Sequence, residues 1–150
     1  MTDVKNADLL RLDNQLCFAL YSASNAIVRA YRPLLDALDL TYPQYLVMLV
    51  LWQQDGISVK QLGEKLFLDS GTLTPLLKRL EAKGLVQRER SEQDERVRVL
   101  TLTEPGKALK KQATSIPVRM RGLLNISESQ LQLLKAHCDL VQQQLHTPDD

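Results

Sequence analysis

The sequence predicts a mainly helical α+β fold. Three observations predict it: apolar residues recur at a helical period near both ends of the chain, three capping boxes open helices, and residues 85–102 alternate with a period of two. With 150 residues, 44% of them apolar and 25% charged, the composition is that of an ordinary globular domain. A chain of this length buries roughly 68–70% of its unfolded surface, so one core without staples suffices.

Each element follows from local pattern. Leu9, Leu12, Leu16, Leu20, Ala23 and Ile27 are spaced 3, 4, 4, 3 and 4, which predicts a long amphipathic first helix. Pro33 is expected to break or restart it, with a short helical turn over Leu34–Leu38. Thr41 and Gln44 form a capping box, with Pro43 in the first turn and the apolar run YLVMLVLW behind it, so this second helix should be largely buried. Ser58 and Gln61 open a short helix striped by Val59, Leu62 and Leu66. In SGTLTPLLKRLEAKG, Leu73, Leu76, Leu77 and Leu80 share one face; Pro75 places the helix start near Gly71 or Thr72, and Gly84 closes it.

From Leu85 the period is two. Val86, Arg88 and Arg90, then Arg96 to Leu102, read as antiparallel strands joined by the polar loop SEQDE. Thr103 caps a helix running to about Ser115, where Pro117 interrupts it. Ser127 and Gln130 open a last helix whose Leu131, Leu134, Cys138, Val141 and Leu145 form an a/d seam; the final HTPDD is expected to fray. The order helix, short helix, turn, helix, hairpin is that of a winged helix-turn-helix between long terminal helices. Those terminal helices carry more apolar stripe than one such core needs, so a homodimer is expected.

Composition excludes several classes. Cys17 and Cys138 stand 121 positions apart, and neither belongs to a Cys/His cluster with His137 or His146, so no metal and no cofactor is expected. The longest apolar run has eight residues, far short of the roughly 20 a bilayer requires, and MTDVKNADLL has no signal-peptide pattern; a cytoplasmic protein with reduced thiols and no membrane association is expected. Net charge is +1, distributed as −2 over residues 1–57, +2 over 58–98 and +1 over 99–150. That balance alone would not identify a nucleic-acid binder, for which a clear basic face is the usual mark.

The chain resembles the MarR family of winged-helix transcription regulators, and within it the organic hydroperoxide resistance (OhrR) type. The resemblance rests on LDNQLCFALYSAS at 12–24, LTYPQYLVMLVLW at 40–52, LDSGTLTPLLKRLEAKGLV at 68–86 and DERVRVLTLTEPG at 94–106. It implies a single domain over residues 1–150, with the winged helix-turn-helix at about 42–103 and dimerisation helices at about 7–38 and 104–146. It also implies a repressor rather than an enzyme, bound to double-stranded DNA at a pseudo-palindromic operator.

In such a fold the second helix of the motif enters the major groove by its N-terminal residues. Ser70, Thr72 and Thr74 are then candidates for base edges, and Lys78 and Arg79 for phosphates; capping and a solvated face are the competing readings of the same residues. By resemblance, Asp94 orients Arg96, whose side chain enters the minor groove from the wing, and Arg88 and Arg90 contact phosphates.

Cys17 read by itself is a small buried hydrophobe: no Lys, Arg or His adjoins it, and Asp13 one turn earlier opposes a thiolate. The resemblance implies otherwise, making Cys17 the peroxide sensor with Tyr31 and Tyr42 as hydrogen-bond donors to its thiolate. Leu16, Phe18 and Trp52 would then favour organic hydroperoxides, and Tyr21 and Tyr45 would be structural. Cys138 is either a packed seam residue or the resolving thiol of a disulfide; in the former case a low-molecular-weight thiol completes a mixed disulfide. The alternatives are a MarR-type regulator released by a small phenolic or apolar ligand without thiol oxidation, a thiol peroxidase, and a winged-helix module that binds no DNA.

Overall fold

A computed structural model describes residues 6–146. They form two compact units, one ending at Ile116 and the other beginning at Pro117. Of the tail expected to fray, residues 147–150 lie outside the described residues.

The first unit opens with a single helical turn, α1 (Asn6–Leu9), and a 3₁₀ turn at Leu12–Asn14, before the long helix α2 (Leu16–Asp36). The predicted first helix therefore begins seven residues late, because extended backbone at Arg11 and Gln15 separates the 3₁₀ turn from its neighbours. At the other end α2 runs straight past Pro33, contrary to expectation. Pro33 is exposed while Leu34 and Leu35 are buried, so packing of the next turn offsets the lost backbone bond. Asp39, at φ +54°, turns the chain, and the Leu40 N–H reaches back to the Leu35 carbonyl.

α3 (Tyr42–Gln53) starts from the Thr41/Gln44 capping box and carries the centre of the core: Tyr45, Val47, Met48 and Leu51 are all buried. α4 (Val59–Leu66) starts from the Ser58/Gln61 box, and α5 (Ser70–Ala82) is capped by Asp69, whose carboxylate accepts from the Thr72 N–H. The two pack closely at Gly63, where any Cβ would lie 2.8 Å from the Leu68 carbonyl oxygen. Leu73, Leu76, Leu77 and Leu80 bury the inner face of α5, and Gly84, at φ +74°, ends its exit turn as predicted.

The predicted hairpin is present as β2 (Val86–Arg90) and β3 (Arg98–Leu102), with Val86 opposite Leu102 and Arg90 opposite Arg98. A third antiparallel strand, β1 (Ile57–Ser58), joins β3 on its other side, giving the order β1-β3-β2. Two residues are too few to show a period, which is why β1 escapes sequence reading. Thr103 caps α6 (Glu104–Ala113) by accepting from the Gly106 N–H.

From Pro117 onward the second unit holds the rest of α7 (Ile116–Leu124) and α8 (Glu128–Leu145). The interruption expected at Pro117 is present: α6 ends at Ala113, and Pro117 stands second in α7, where its missing N–H costs nothing. α8 starts from the Ser127/Gln130 capping box. No helix among the described residues is long and apolar enough to cross a membrane.

Candidate functional site

Cys17 is the second residue of α2, and its side chain is exposed. The first intrahelical bond is donated by Ala19 to Gln15, so the N–H groups of Leu16, Cys17 and Phe18 precede the hydrogen-bonded ladder. Gln15 does not cap them; its amide is turned back to the Leu9 and Arg11 carbonyls at 2.7 and 2.8 Å. An open first turn of this kind favours an anion. Asp13, which the sequence sets against that role, is paired with Arg11 at 3.1 Å. The late start of α2 thus reverses the local reading of Cys17: it is neither buried nor in mid-helix.

Tyr31, Tyr42 and Tyr45 form one cluster. Ring centroids lie 4.8 Å apart for Tyr31–Tyr42, 5.9 Å for Tyr31–Tyr45 and 6.3 Å for Tyr42–Tyr45. The turn after α2 brings the first residue of α3 beside the last turns of α2, which is what assembles them. Burial, reinforced by Tyr42 and Tyr45, pushes the Tyr31 hydroxyl up to about 12, and burial raises Tyr42 and Tyr45 as well. These phenols stay protonated, so each keeps an O–H to donate. Tyr45 is buried as expected, but Tyr21 is 66% exposed in this chain and is not a core residue.

The structure does not bring Cys17 and this cluster together within one chain. Fourteen residues of continuous helix separate Cys17 from Tyr31, a span of about 21 Å at 1.5 Å per residue. Tyr42 stacks on Tyr31 and is equally remote. Trp52, expected near the thiol, is engaged elsewhere: it stands at the far end of α3, where its indole donates to the Gly106 carbonyl at 2.9 Å. Leu16 and Phe18 do flank Cys17 and are exposed. Cys138 is exposed on α8, as are the seam residues Leu134 and Leu145, while Leu131 and Val141 are half-buried.

A second group of residues lines the outer face of α5 and the wing. Ser70, Thr72, Lys78 and Arg79 are exposed. Thr74 is half-buried and donates its hydroxyl to the Ser70 carbonyl at 2.8 Å. Because Asp69 takes the cap, Ser70 lies inside the helix rather than ahead of it. On the wing, Asp94 accepts from Arg96 Nε, from its terminal nitrogen and from its backbone N–H at 3.2, 3.3 and 3.0 Å. Those bonds hold the Asp94 carboxyl below the usual carboxylate range. They also fix a guanidinium whose side chain remains 90% exposed.

Arg90 is exposed, whereas Arg88 is turned inward to an ion pair with Glu81 of α5. Arg88 shares the Val86 face of β2, so a phosphate contact from it would first break that pair. Alternation from buried Val86 is the signal that could have placed it. Sequence reading also passed over two residues. Arg98, exposed, stands directly opposite Arg90, a like-charge pairing that destabilises a strand pair unless an anion lies across it. Asp55 accepts from the Leu102 and Gly56 N–H groups, both at 2.9 Å, tying the base of the wing to the end of α3. Among the described residues no group of His, Cys, Asp and Glu is placed to hold a metal ion.

Comparisons with known proteins agree with this layout. The family described as transcriptional regulator SarA/Rot matches residues 29–113. The chain is similar to the organic hydroperoxide resistance transcriptional regulator of Bacillus subtilis (strain 168), with 49% identity over 139 residues, 93% of this chain and 95% of that protein. Among solved structures, reduced AbfR bound to DNA matches at a TM-score of 0.77 and 32% identity, covering 94% of this chain and 99% of the other. Disulfide-formed AbfR matches at a TM-score of 0.64 and 34% identity, covering 90% and 96%.

Proposed function

The chain belongs to the MarR-type winged-helix transcription regulators, in the group of the organic hydroperoxide resistance regulator, and from that premise we propose that it is a dimeric repressor released from DNA when an organic hydroperoxide oxidises Cys17. The observation that carries this reading is the exposed thiol of Cys17 in an uncapped first turn, one long helix away from a cluster of protonated phenols. A single chain holds the two halves about 21 Å apart; a second copy can bring Tyr31 and Tyr42 of the partner subunit to the thiol. Leu9, Leu10, Leu12 and Leu16, all exposed in the single chain, are the apolar surface such a pairing would cover.

The chemistry is a two-electron transfer. The Cys17 thiolate attacks the outer peroxide oxygen, the O–O bond breaks, and the alkoxide takes a proton and leaves as the alcohol; sulfur is oxidised to a sulfenic acid and the peroxide is reduced. A thiol then displaces hydroxide, which leaves as water, giving a disulfide. That thiol is a low-molecular-weight one or Cys138 of the partner subunit. The sulfenic acid or disulfide no longer accepts the phenol hydrogen bonds as a thiolate does. The tyrosine end of α3 then moves, and the recognition helices lose groove spacing.

In the DNA-bound state Ser70 and Thr72 face base edges of a pseudo-palindromic operator, and Lys78, Arg79 and Arg90 face phosphates. Arg96, forked on Asp94, enters the minor groove. Support for the DNA contact comes from the likeness of the chain to AbfR solved bound to DNA. The test is a gel-shift titration of reduced wild type and Cys17→Ser, before and after one equivalent of cumene hydroperoxide. Release of the wild type alone is expected; release of both, or of neither, would sink the thiol switch.

A further inference from the structure

We propose that Lys83 and Gln44 form the joint through which the tyrosine-bearing end of α3 sets the position of the recognition helix α5. The inference rests on the reading above, in which oxidation acts through Tyr42. Gln44 is the buried polar side chain of the described core, 2% exposed. Its amide oxygen accepts two hydrogen bonds, from the Thr41 N–H at 3.1 Å and from Lys83 Nζ at 2.9 Å. Lys83 also donates to the Asp39 backbone carbonyl. One ammonium group, from the residue that caps the C-terminus of α5, therefore holds both flanks of the turn on which Tyr42 sits.

The contact has consequences for how the parts can move. Removing the Lys83 ammonium takes one of two donors from the buried Gln44 amide oxygen, leaving it the Thr41 N–H alone, and frees the Asp39 carbonyl as well. The α3 N-terminus and the α5 C-terminus accordingly shift together. The same last turn of α5 carries Glu81, whose pair with Arg88 ties it to β2 and the wing. A displacement delivered at Lys83 therefore reaches both DNA-reading elements. Along α5 it is carried about 20 Å to Ser70 and Thr72 by a stiff helix. Lys83 is a positioning residue here: it touches neither the thiol nor, in this proposal, DNA.

The test uses full-length reduced protein and a labelled operator duplex. Affinities of wild type, Tyr42→Ala, Lys83→Met and the double variant are measured by anisotropy, with Lys83→Arg as the conservative rescue. The joint predicts that Tyr42→Ala weakens binding in the wild type but not in the Lys83→Met background, and that Lys83→Arg restores the effect. It also predicts that Lys83→Met leaves the salt dependence of binding unchanged, since no phosphate contact is lost. Additive effects, including no effect of Tyr42→Ala, would overturn it. A peroxide arm, with Cys17 oxidation followed by mass spectrometry, separates this from the parent reading. If oxidised wild type releases DNA and oxidised Lys83→Met keeps it, with the ratio of reduced to oxidised affinity at least about fivefold smaller, the joint stands. If both release by the same factor, the joint fails and the thiol switch survives. If oxidised wild type keeps DNA, the thiol switch fails and the mutant cycle alone decides the joint.

Discussion

At the residue scale, the wing tip sets a carboxylate to hold an exposed guanidinium, which is how an acidic residue would serve the proposed DNA contact. Asp94 is spent on Arg96: two side-chain bonds and one backbone bond hold the guanidinium in one direction while leaving it in solvent. Its effect on DNA binding should exist only through Arg96. Arg96→Ala is expected to weaken operator binding about 10-fold or more, the loss of roughly one good contact. Asp94→Ala should cost a smaller factor alone and nothing further in the Arg96→Ala background, a cycle readable by anisotropy titration. Tyr31 gives a second prediction. Its hydroxyl ionises near pH 12 in the folded chain, against 10 for an ordinary tyrosine, so the unfolded chain loses the proton first as pH rises. The stability this contributes is complete below pH 10 and is lost as pH climbs from 10 towards 12. Urea midpoints at a series of alkaline pH values should therefore fall less steeply for Tyr31→Phe than for the wild type; equal slopes would contradict the buried cluster.

At the element scale, the recognition helix depends on one apolar face. Leu77 and Leu80 are fully buried, and Leu73 nearly so, beneath exposed Lys78 and Arg79. Leu77→Ala is expected to cost about 2–5 kcal/mol by chemical denaturation, the usual range for an enclosed leucine. Such patterns were legible from sequence because they are local: all three capping boxes, the leucine face of α5, the Gly84 exit and the β2–β3 hairpin are each set within a few residues. What was not legible depends on neighbours further away or on too few residues. Leu9 and Leu12 continue the period of α2 numerically although the backbone before Leu16 is not part of it, and the placement of Cys17 went wrong with that boundary. Pro33 reads as a break, yet α2 is carried through it by buried Leu34 and Leu35, whereas the interruption expected at Pro117 is there, with Pro117 in the first turn of the helix that follows. The three-tyrosine cluster joins residues from two helices, and no spacing in the sequence announces it.

At the scale of the whole molecule, the separation of Cys17 from Tyr31 decides how many chains make one sensor. Both lie on α2, 14 residues apart, and a continuous helix cannot fold back to join them. If the phenols donate to the thiolate, they do so across a two-fold interface, and each dimer holds two sites of mixed parentage. Subunit mixing tests this directly. Cys17→Ser alone has no reactive sulfur, and Tyr31→Phe/Tyr42→Phe alone has thiols without their donors, so each homodimer should respond poorly to cumene hydroperoxide. In a mixed dimer the two defects fall on the same site, and the other site keeps an intact thiol facing intact tyrosines. Co-refolding the two variants, with a different affinity tag on each, should yield a heterodimer in which one Cys17 per dimer is oxidised at close to the wild-type rate. Oxidation as slow as in the tyrosine double variant would mean that thiol and phenols do not meet across the interface, and the sensor would have to be rebuilt from residues of one chain.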